Sequence, residues 1–177
     1  MTAILRRFFK WLIPRREFSL VSGLGAAVAL ERLGGSVGPR KFFRMPWDRA
    51  HVFEGRVTGR DFEINRILGY RNSFVPQLRG SIEPLAVGVG VKVRGTMTVD
   101  LSVKIFMALW LLPVGLACLC TLPFAVATRP FEPALLVPWV MFLFGVALMT
   151  GSFLLEANRS LAALCELLDS SHSELRS

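Results

Sequence analysis

Charge is missing from two long stretches of this 177-residue chain, and that absence sets its class. Residues 105–127 (IFMALWLLPVGLACLCTLPFAVA) and 134–155 (ALLVPWVMFLFGVALMTGSFLL) contain no Asp, Glu, Lys, Arg or His. Ion pathways, proton relays and transport sites within a membrane use such groups, so a self-contained transporter is excluded. Cysteine is scarce. Cys118 and Cys120 lie two positions apart, about 200° around a helix, and cannot share a metal ion. With Cys165 they read as small apolar fillers in a reduced compartment. The two histidines, His51 and His172, have no acid or cysteine at ligand spacing. No carboxylates pair in an apolar setting, and no Ser, His and Asp set is available. Gly55, Gly59, Gly80, Gly88, Gly90 and Gly95 lack the strand–loop–helix context and following Lys-Ser or Lys-Thr of a phosphate-binding loop. They fit bulges and close backbone approach instead. The sequence thus assigns no catalytic residue, metal or cofactor, and the chain is read as non-enzymatic.

What is present is a pair of candidate membrane spans. About 20 apolar residues at 1.5 Å rise cross a hydrocarbon core of about 30 Å. Each run gains on the order of −3 to −7 kcal/mol from its Leu, Ile, Phe and Val before polar residues are counted. The loop at 128–133 holds one Arg and one Glu. Positive charge is uneven: residues 1–104 hold 18 of the 21 Lys and Arg but 8 of the 13 Asp and Glu. Because basic flanks favour the cytoplasmic side, both termini are expected there. Anionic lipid headgroups explain the basic surplus more simply than nucleic acid, at about 1 kcal/mol per residue near the surface.

The N-terminus fits this picture. Within residues 2–13, Ile4, Leu5, Phe8, Phe9, Trp11, Leu12 and Ile13 share half a helical wheel, and Arg6, Arg7 and Lys10 lie opposite. That is a basic amphipathic surface helix, ended by Pro14. Arg6, Arg7, Lys10, Trp11, Arg15 and Arg16 form the expected membrane-surface set. Arg15-Arg16-Glu17-Phe18 before VSGLGAAVAL is also similar to a twin-arginine export signal, but the apolar stretch stops at Glu31-Arg32. A strand at 18–21 leading into an amphipathic helix at about 24–33 fits better. Leu24, Val28, Leu33 and Val37 keep near-helical spacing, and Gly34-Gly35 is expected to end the helix.

From residue 50 to 101 the apolar period switches to two. HVFEGRVTG reads as a strand, with a turn at 58–61. DFEINRIL puts Phe62 and Ile64 on one face, and FVPQLRGSIEP puts Phe74, Leu78 and Ile82 on one face. The last strand is expected to alternate, with Val87, Val89, Val91, Val93, Met97, Val99 and Leu101 on the apolar side. One apolar face marks an antiparallel sheet packed on one side only. The fold class expected is α+β: a small antiparallel sheet with one covering helix, then a two-helix transmembrane hairpin, then a cytoplasmic C-terminal helix. The segments are 1–14 (surface helix), 15–103 (sheet domain), 104–155 (hairpin) and 156–177 (helix and tail). Leu161, Leu164, Leu167 and Leu168 make the stripe of that last helix, which is expected to extend the second span and to pack on the sheet domain or a partner; 170–177 are expected to be disordered.

Two features are candidate sites. Tyr70, Arg71, Asn72 and Ser73 form the most distinctive polar cluster. Arg71 and Asn72 offer donors to an anionic or polar ligand, with Tyr70 or Phe74 as a wall; the alternative is a hairpin connection built for turn reasons. Gly145 and Gly151, beside Thr150 and Ser152, allow close helix approach within the hairpin or in a homo-oligomer.

The motifs F-x-G-x-V (53–57), F-x-I-x-R (62–66), Y-R-N-S-F-x-P (70–76), a strand leading into a Trp-containing span, and F-x-x-E (153–156) resemble a group of small bacterial membrane proteins without an assigned function. The likeness covers about residues 50–160. It implies a sheet module on two spans, and no catalytic residues. The functional expectation is a cytoplasmic binding or interaction domain on a membrane anchor, with lipids and a protein partner as its contacts. The alternative is a membrane effector or pore-forming oligomer controlled by that domain.

Overall fold

The computed structural model describes residues 14–39, 51–68, 73–86, 88–127 and 132–176, with backbone alone at 125–127 and 171–176. The fold is α+β. Its strands are β1 (Arg15–Ser22), β2 (Val37–Gly38), β3 (Phe53–Thr58), β4 (Asp61–Arg66), β5 (Gln77–Pro84), β6 (Val91–Thr98) and β7 (Ser170–Arg176). Its helices are α1 (Ala26–Ser36), α2 (Leu101–Ala127) and α3 (Val137–Leu167), the last entered through a 3₁₀ turn at Pro133–Leu136.

The strands form one sheet in the order β2-β3-β4-β5-β6-β1-β7. All neighbours are antiparallel except β2 and β3, so the sheet is mixed. Alternation places one apolar side chain per two residues on the inner face: Phe18 and Leu20, Val91, Val93 and Met97, Leu78 and Ile82, Phe62 and Ile64, each at most 4% exposed. At the centre of this face Gly95 pairs with Gly80, flanked in register by Phe18 and Phe62. A Cβ on Gly95 would lie 2.6 Å from the Phe18 ring, and one on Gly80 2.7 Å from the Phe62 ring. The two glycines thus make the space into which the rings pack.

Two helices close the inner face. Ala29 and Leu33 of α1 are fully buried. Val28, placed on the expected stripe, is instead 44% exposed. Gly34 and Gly35 do not end this helix, which runs to Ser36. Glycine costs only about 1 kcal/mol relative to alanine there, and the buried Leu33 and the immediate pairing of β2 outweigh it. The second cover is the C-terminal half of α3, which buries Phe153, Ala157, Leu161 and Leu164. Leu168, just beyond the helix, is also fully buried. The C-terminal helix thus continues the second apolar helix, as expected, and of the two surfaces open to it, it packs on the sheet. At 31 residues α3 is about 46 Å long and belongs to both halves of the molecule.

Two further expectations change. The strand from Val87 to Leu101 is shorter. Leu85 N–H donates to Gly90 O (3.1 Å), closing a turn in which Gly88 and Gly90 have φ of +88° and +149°. Those conformations suit glycine, so Gly88-Val89-Gly90 imitates strand alternation without forming a strand; Val87 lies outside the described residues. Val89 is consequently 84% exposed. Leu101 begins α2, where Asp100 accepts Ser102 N–H at 2.9 Å as a cap. Residues 170–176, expected to be disordered, form β7 against β1. Backbone pairing at a sheet edge needs little from side chains, so a serine-rich tail can satisfy the N–H and C=O groups of β1. Asp169, at φ +51°, turns the chain from α3 into it.

The sheet passes into α2 through Val99 and Asp100 alone. Val103, Met107 and Leu111 of α2 and Val146, Met149 and Phe153 of α3 are buried in the same core. The remainder of each helix is open. The most apolar window of each is only 17% buried, and Ile105, Leu109, Leu116, Leu119, Leu143 and Phe144 are each more than half exposed. Both helices are long and apolar enough to cross a membrane.

Candidate functional site

The sheet has a hairpin end and a far end. β1 and β3 start, and β4 and β6 finish, at the end from which α2 departs. At that end α3 leaves its fully apolar stretch and meets the sheet. Glu156 is the first ionisable residue of α3, and its side chain is 2% exposed. A buried carboxylate is costly unless paired. Here Arg66, the last residue of β4, donates from Nη1 to Oε2 at 3.5 Å, and Arg159 donates from Nη1 to Oε1 at 3.1 Å. Arg16 of β1 donates to Asn158 Oδ1 at 2.8 Å. Residues 156 and 158 are about 200° apart around the helix. Arg66 and Arg16 therefore hold α3 from opposite flanks.

The local sequence explains this geometry. Phe62 and Ile64 fix which face of β4 points inward, so Arg66 follows them onto that face at the strand's end. Phe153 and Glu156 are separated by three residues and share a face of α3. Phe153 is fully buried, and this directs Glu156 inward. The F-x-I-x-R and F-x-x-E elements, 90 residues apart, thus meet in one ion pair. One turn further, fully buried Ser160 has no hydrogen-bond partner for Oγ. At the far end Ser22 Oγ donates to Leu168 O at 2.5 Å and accepts from Leu24 N–H at 3.1 Å, pinning the end of α3 to β1.

No known protein family, characterised protein or solved structure matches this chain.

The outer face of the sheet is polar, and its signs are interleaved. Glu17, Thr96, Arg79, Glu63 and Arg56 form one cross-strand row. Arg79 pairs with Glu63 (3.3 Å) and Arg94 with Glu83 (3.7 Å). Gln77, only 6% exposed, donates to Glu63 Oε1 at 2.8 Å. An open trough of about 480 Å³ lies against Glu17, Ser19, Lys92, Arg94 and Thr96. Both signs line it, and among the described residues no three His, Cys, Asp or Glu gather as a metal site.

The candidate residues fall as follows. Tyr70, Arg71 and Asn72 lie outside the described residues; Ser73 is exposed in a turn at the hairpin end, and Phe74 packs against the core. Arg6, Arg7, Lys10 and Trp11 also lie outside them. Arg15, on the outer face, pairs with Glu17 at 3.4 Å. Arg16 is turned to α3, and the twin-arginine segment is part of β1, where Phe18 is a core residue. A Cβ on Gly145 would lie 3.2 Å from Leu111 and 3.4 Å from Trp110, so this glycine seats α3 on α2. A Cβ on Gly151 would meet nothing within 4 Å. Pro138 sits in the first turn of α3, where a missing N–H costs nothing. Burial pushes the Cys165 thiol above its ordinary range, against a smaller opposing effect of its Ser170 hydrogen bond. The sequence reading passed over Arg66 and Glu156 as a pair. The available signal was an acid directly after an apolar run, one turn from a phenylalanine.

Proposed function

We propose that this chain is a two-span integral membrane protein of the bacterial inner membrane. Its sheet module stands at the cytoplasmic face and works as a binding or interaction domain without catalytic chemistry. The observation that carries this reading is the exposure of α2 and α3. Helices with so much apolar surface in the core of a soluble fold would be covered, and these are 17% buried over their most apolar windows. Continuous apolar surface of this extent belongs against lipid or another protein.

Charge placement supports the orientation. Residues 1–13 carry Arg6, Arg7 and Lys10 with no acid; residues 40–50 carry Arg40, Lys41, Arg44 and Arg49 against Asp48; residues 69–72 carry Arg71. These supply most of the +8 surplus. A basic surplus ahead of the apolar runs in the sequence suits anionic headgroups on the cytoplasmic side. The interleaved charges of the outer face favour a protein or small polar partner over nucleic acid, which needs a continuous basic surface.

The pore-forming reading has less support, because Gly145 is occupied within the hairpin. Alkaline carbonate washing tests the main proposal. The full chain is expected to stay in the membrane pellet, and a labelling reagent confined to the outside of intact cells should reach cysteines introduced at 128–133 but not at Ser81. Extraction by carbonate, or external labelling at Ser81, overturns it.

A further inference from the structure

We propose that the trough between β1 and β6, on the outer face of the sheet, binds a short peptide by its two charged ends. The carboxylate goes to Lys92 and Arg94 and the ammonium to Glu17. This rests on the reading of the sheet module as a binding domain and names its class of ligand.

Lys92, Arg94 and Thr96 follow one another at two-residue steps along β6, and β1 sets Ser19 opposite Arg94 and Glu17 opposite Thr96. These five residues line one trough of about 480 Å³, a volume usual for small-ligand sites. Charge is therefore sorted along it, with two cations toward the far end and one carboxylate toward the hairpin end. At about 3.4 Å per residue, Lys92 lies about 13 Å along the strand from the Thr96–Glu17 pair. An extended tripeptide spans about 10 Å, and the long side chains of Lys92 and Glu17 close the difference.

The lining groups are available. Among the described residues, Lys92 Nζ and the hydroxyls of Ser19 and Thr96 have no hydrogen-bond or ion-pair partner. Arg94 is held by Glu83 of β5 at 3.7 Å, on the side away from β1. Glu17 is held by Arg15 at 3.4 Å through Oε1, which leaves Oε2 for a ligand. Both are exposed surface pairs of small energy, and a charged ligand end can share or replace them.

The chemistry selects the ligand. A lone anion such as phosphate gains from Lys92 and Arg94 but is opposed by Glu17. A zwitterion whose charges follow the same order gains at both ends. The hydroxyls of Ser19 and Thr96 can each donate and accept, which suits the amide groups of a peptide. The floor of the trough is formed at Phe18 and Gly95, which pair with each other across the strands, and the Phe18 ring is buried on the inner face. A floor of inward-facing residues is flat, so selection falls on the charged ends and their spacing and not on ligand side chains.

The test uses the full-length protein purified in mild detergent, titrated in a calorimeter with trialanine, N-acetyl-trialanine and trialanine amide. Trialanine is expected to bind, and blocking either end to weaken binding roughly tenfold, the effect of losing one charge-assisted contact. Lys92→Gln should weaken trialanine binding by a similar factor, after which amidation costs little more. Glu17→Gln should do the same for acetylation. Arg56→Gln, the same charge loss three strands away on the same face, should leave affinity within about twofold. Absence of trialanine binding at millimolar concentration overturns the proposal, as does equal weakening by Arg56→Gln. Sensitivity to amidation without sensitivity to acetylation marks a plain anion site and overturns it too. The blocked peptides keep the test decisive if a variant fails to fold. Failed binding in a protein that resists carbonate and stays unlabelled at Ser81 sinks the trough alone, whereas carbonate extraction or labelling at Ser81 sinks the reading beneath it.

Discussion

The two halves of α3 make an informative contrast within one helix. Residues up to Leu155 are apolar around most of the circumference, and only the seam of Gly145, Val146, Met149 and Phe153 is buried, against α2. Beyond Leu155 the same helix is amphipathic. Ala157, Ser160, Leu161 and Leu164 face the sheet, while Asn158, Arg159, Ala162 and Glu166 face outward. The second half is stabilised by removing apolar surface from water. The first half cannot be, since most of its apolar surface remains exposed. One unbroken helix thus presents two different surfaces, and the Arg66–Glu156–Arg159 pairing lies where they meet.

Substitutions can test where that boundary lies. The largest effect is expected at Phe153, fully buried where seam and sheet core join. Phe153→Ala should cost about 3–5 kcal/mol in chemical denaturation of the solubilised protein, whereas Leu148→Ala, 44% exposed on the same helix, should cost well under half of that. Similar losses at both would mean that the first half packs as a core. Next come the glycines. Gly145→Leu drives a side chain against Leu111 and Trp110 and should destabilise by about 1–3 kcal/mol, read as a lower melting temperature. Gly151→Leu meets open space and should be near neutral in the monomer. If Gly151→Leu instead abolishes dye leakage from liposomes caused by the wild-type protein, the pore-forming reading gains over the anchor.

Smaller effects are expected in the second half. Ser160→Ala removes a buried hydroxyl that has no partner and should be neutral or stabilising by up to about 1 kcal/mol. A loss of stability would reveal a bond to Ser160 Oγ. Cys165 should be the mildest reporter. Burial raises its thiol pKa, so at pH 7 the neutral thiol dominates and alkylation should be slower than for a free cysteine peptide. The rate should climb only as pH rises above the ordinary thiol range. Deleting residues 170–177 removes the hydrogen bond from Ser170 and part of the cover, and the resulting change in rate measures how much β7 shields this thiol.

Much of this molecule was legible from its periodicities. Phe62 and Ile64, Leu78 and Ile82, and Val91, Val93 and Met97 occupy the inner face that their alternation specifies, because a period of two admits a single assignment once one face is apolar. The two apolar helices were likewise legible, since length and absence of charge are local properties. Local pattern failed where the deciding partner was remote. The stretch at 88–90 alternates like the strand that follows it, yet the Leu85–Gly90 bond and the positive φ of Gly88 and Gly90 keep it out of β6. The tail at 170–176 has little apolar content, yet β1 supplies it with backbone partners.

Composition and spacing alone determined that this chain carries two uncharged helices long enough to cross a bilayer, a one-faced sheet and a basic N-terminal region. The helical stripe after Leu155 already pointed to an extension of the second span; tertiary structure alone decided that it packs on this sheet and not on a partner, that it is gripped by Arg16 and Arg66, and that Glu156 is buried between guanidinium groups. The physical reason is separation along the chain. A helix or strand is specified by neighbours within a few residues, whereas an ion pair spanning 90 positions exists only once the sheet has brought β4 beneath α3.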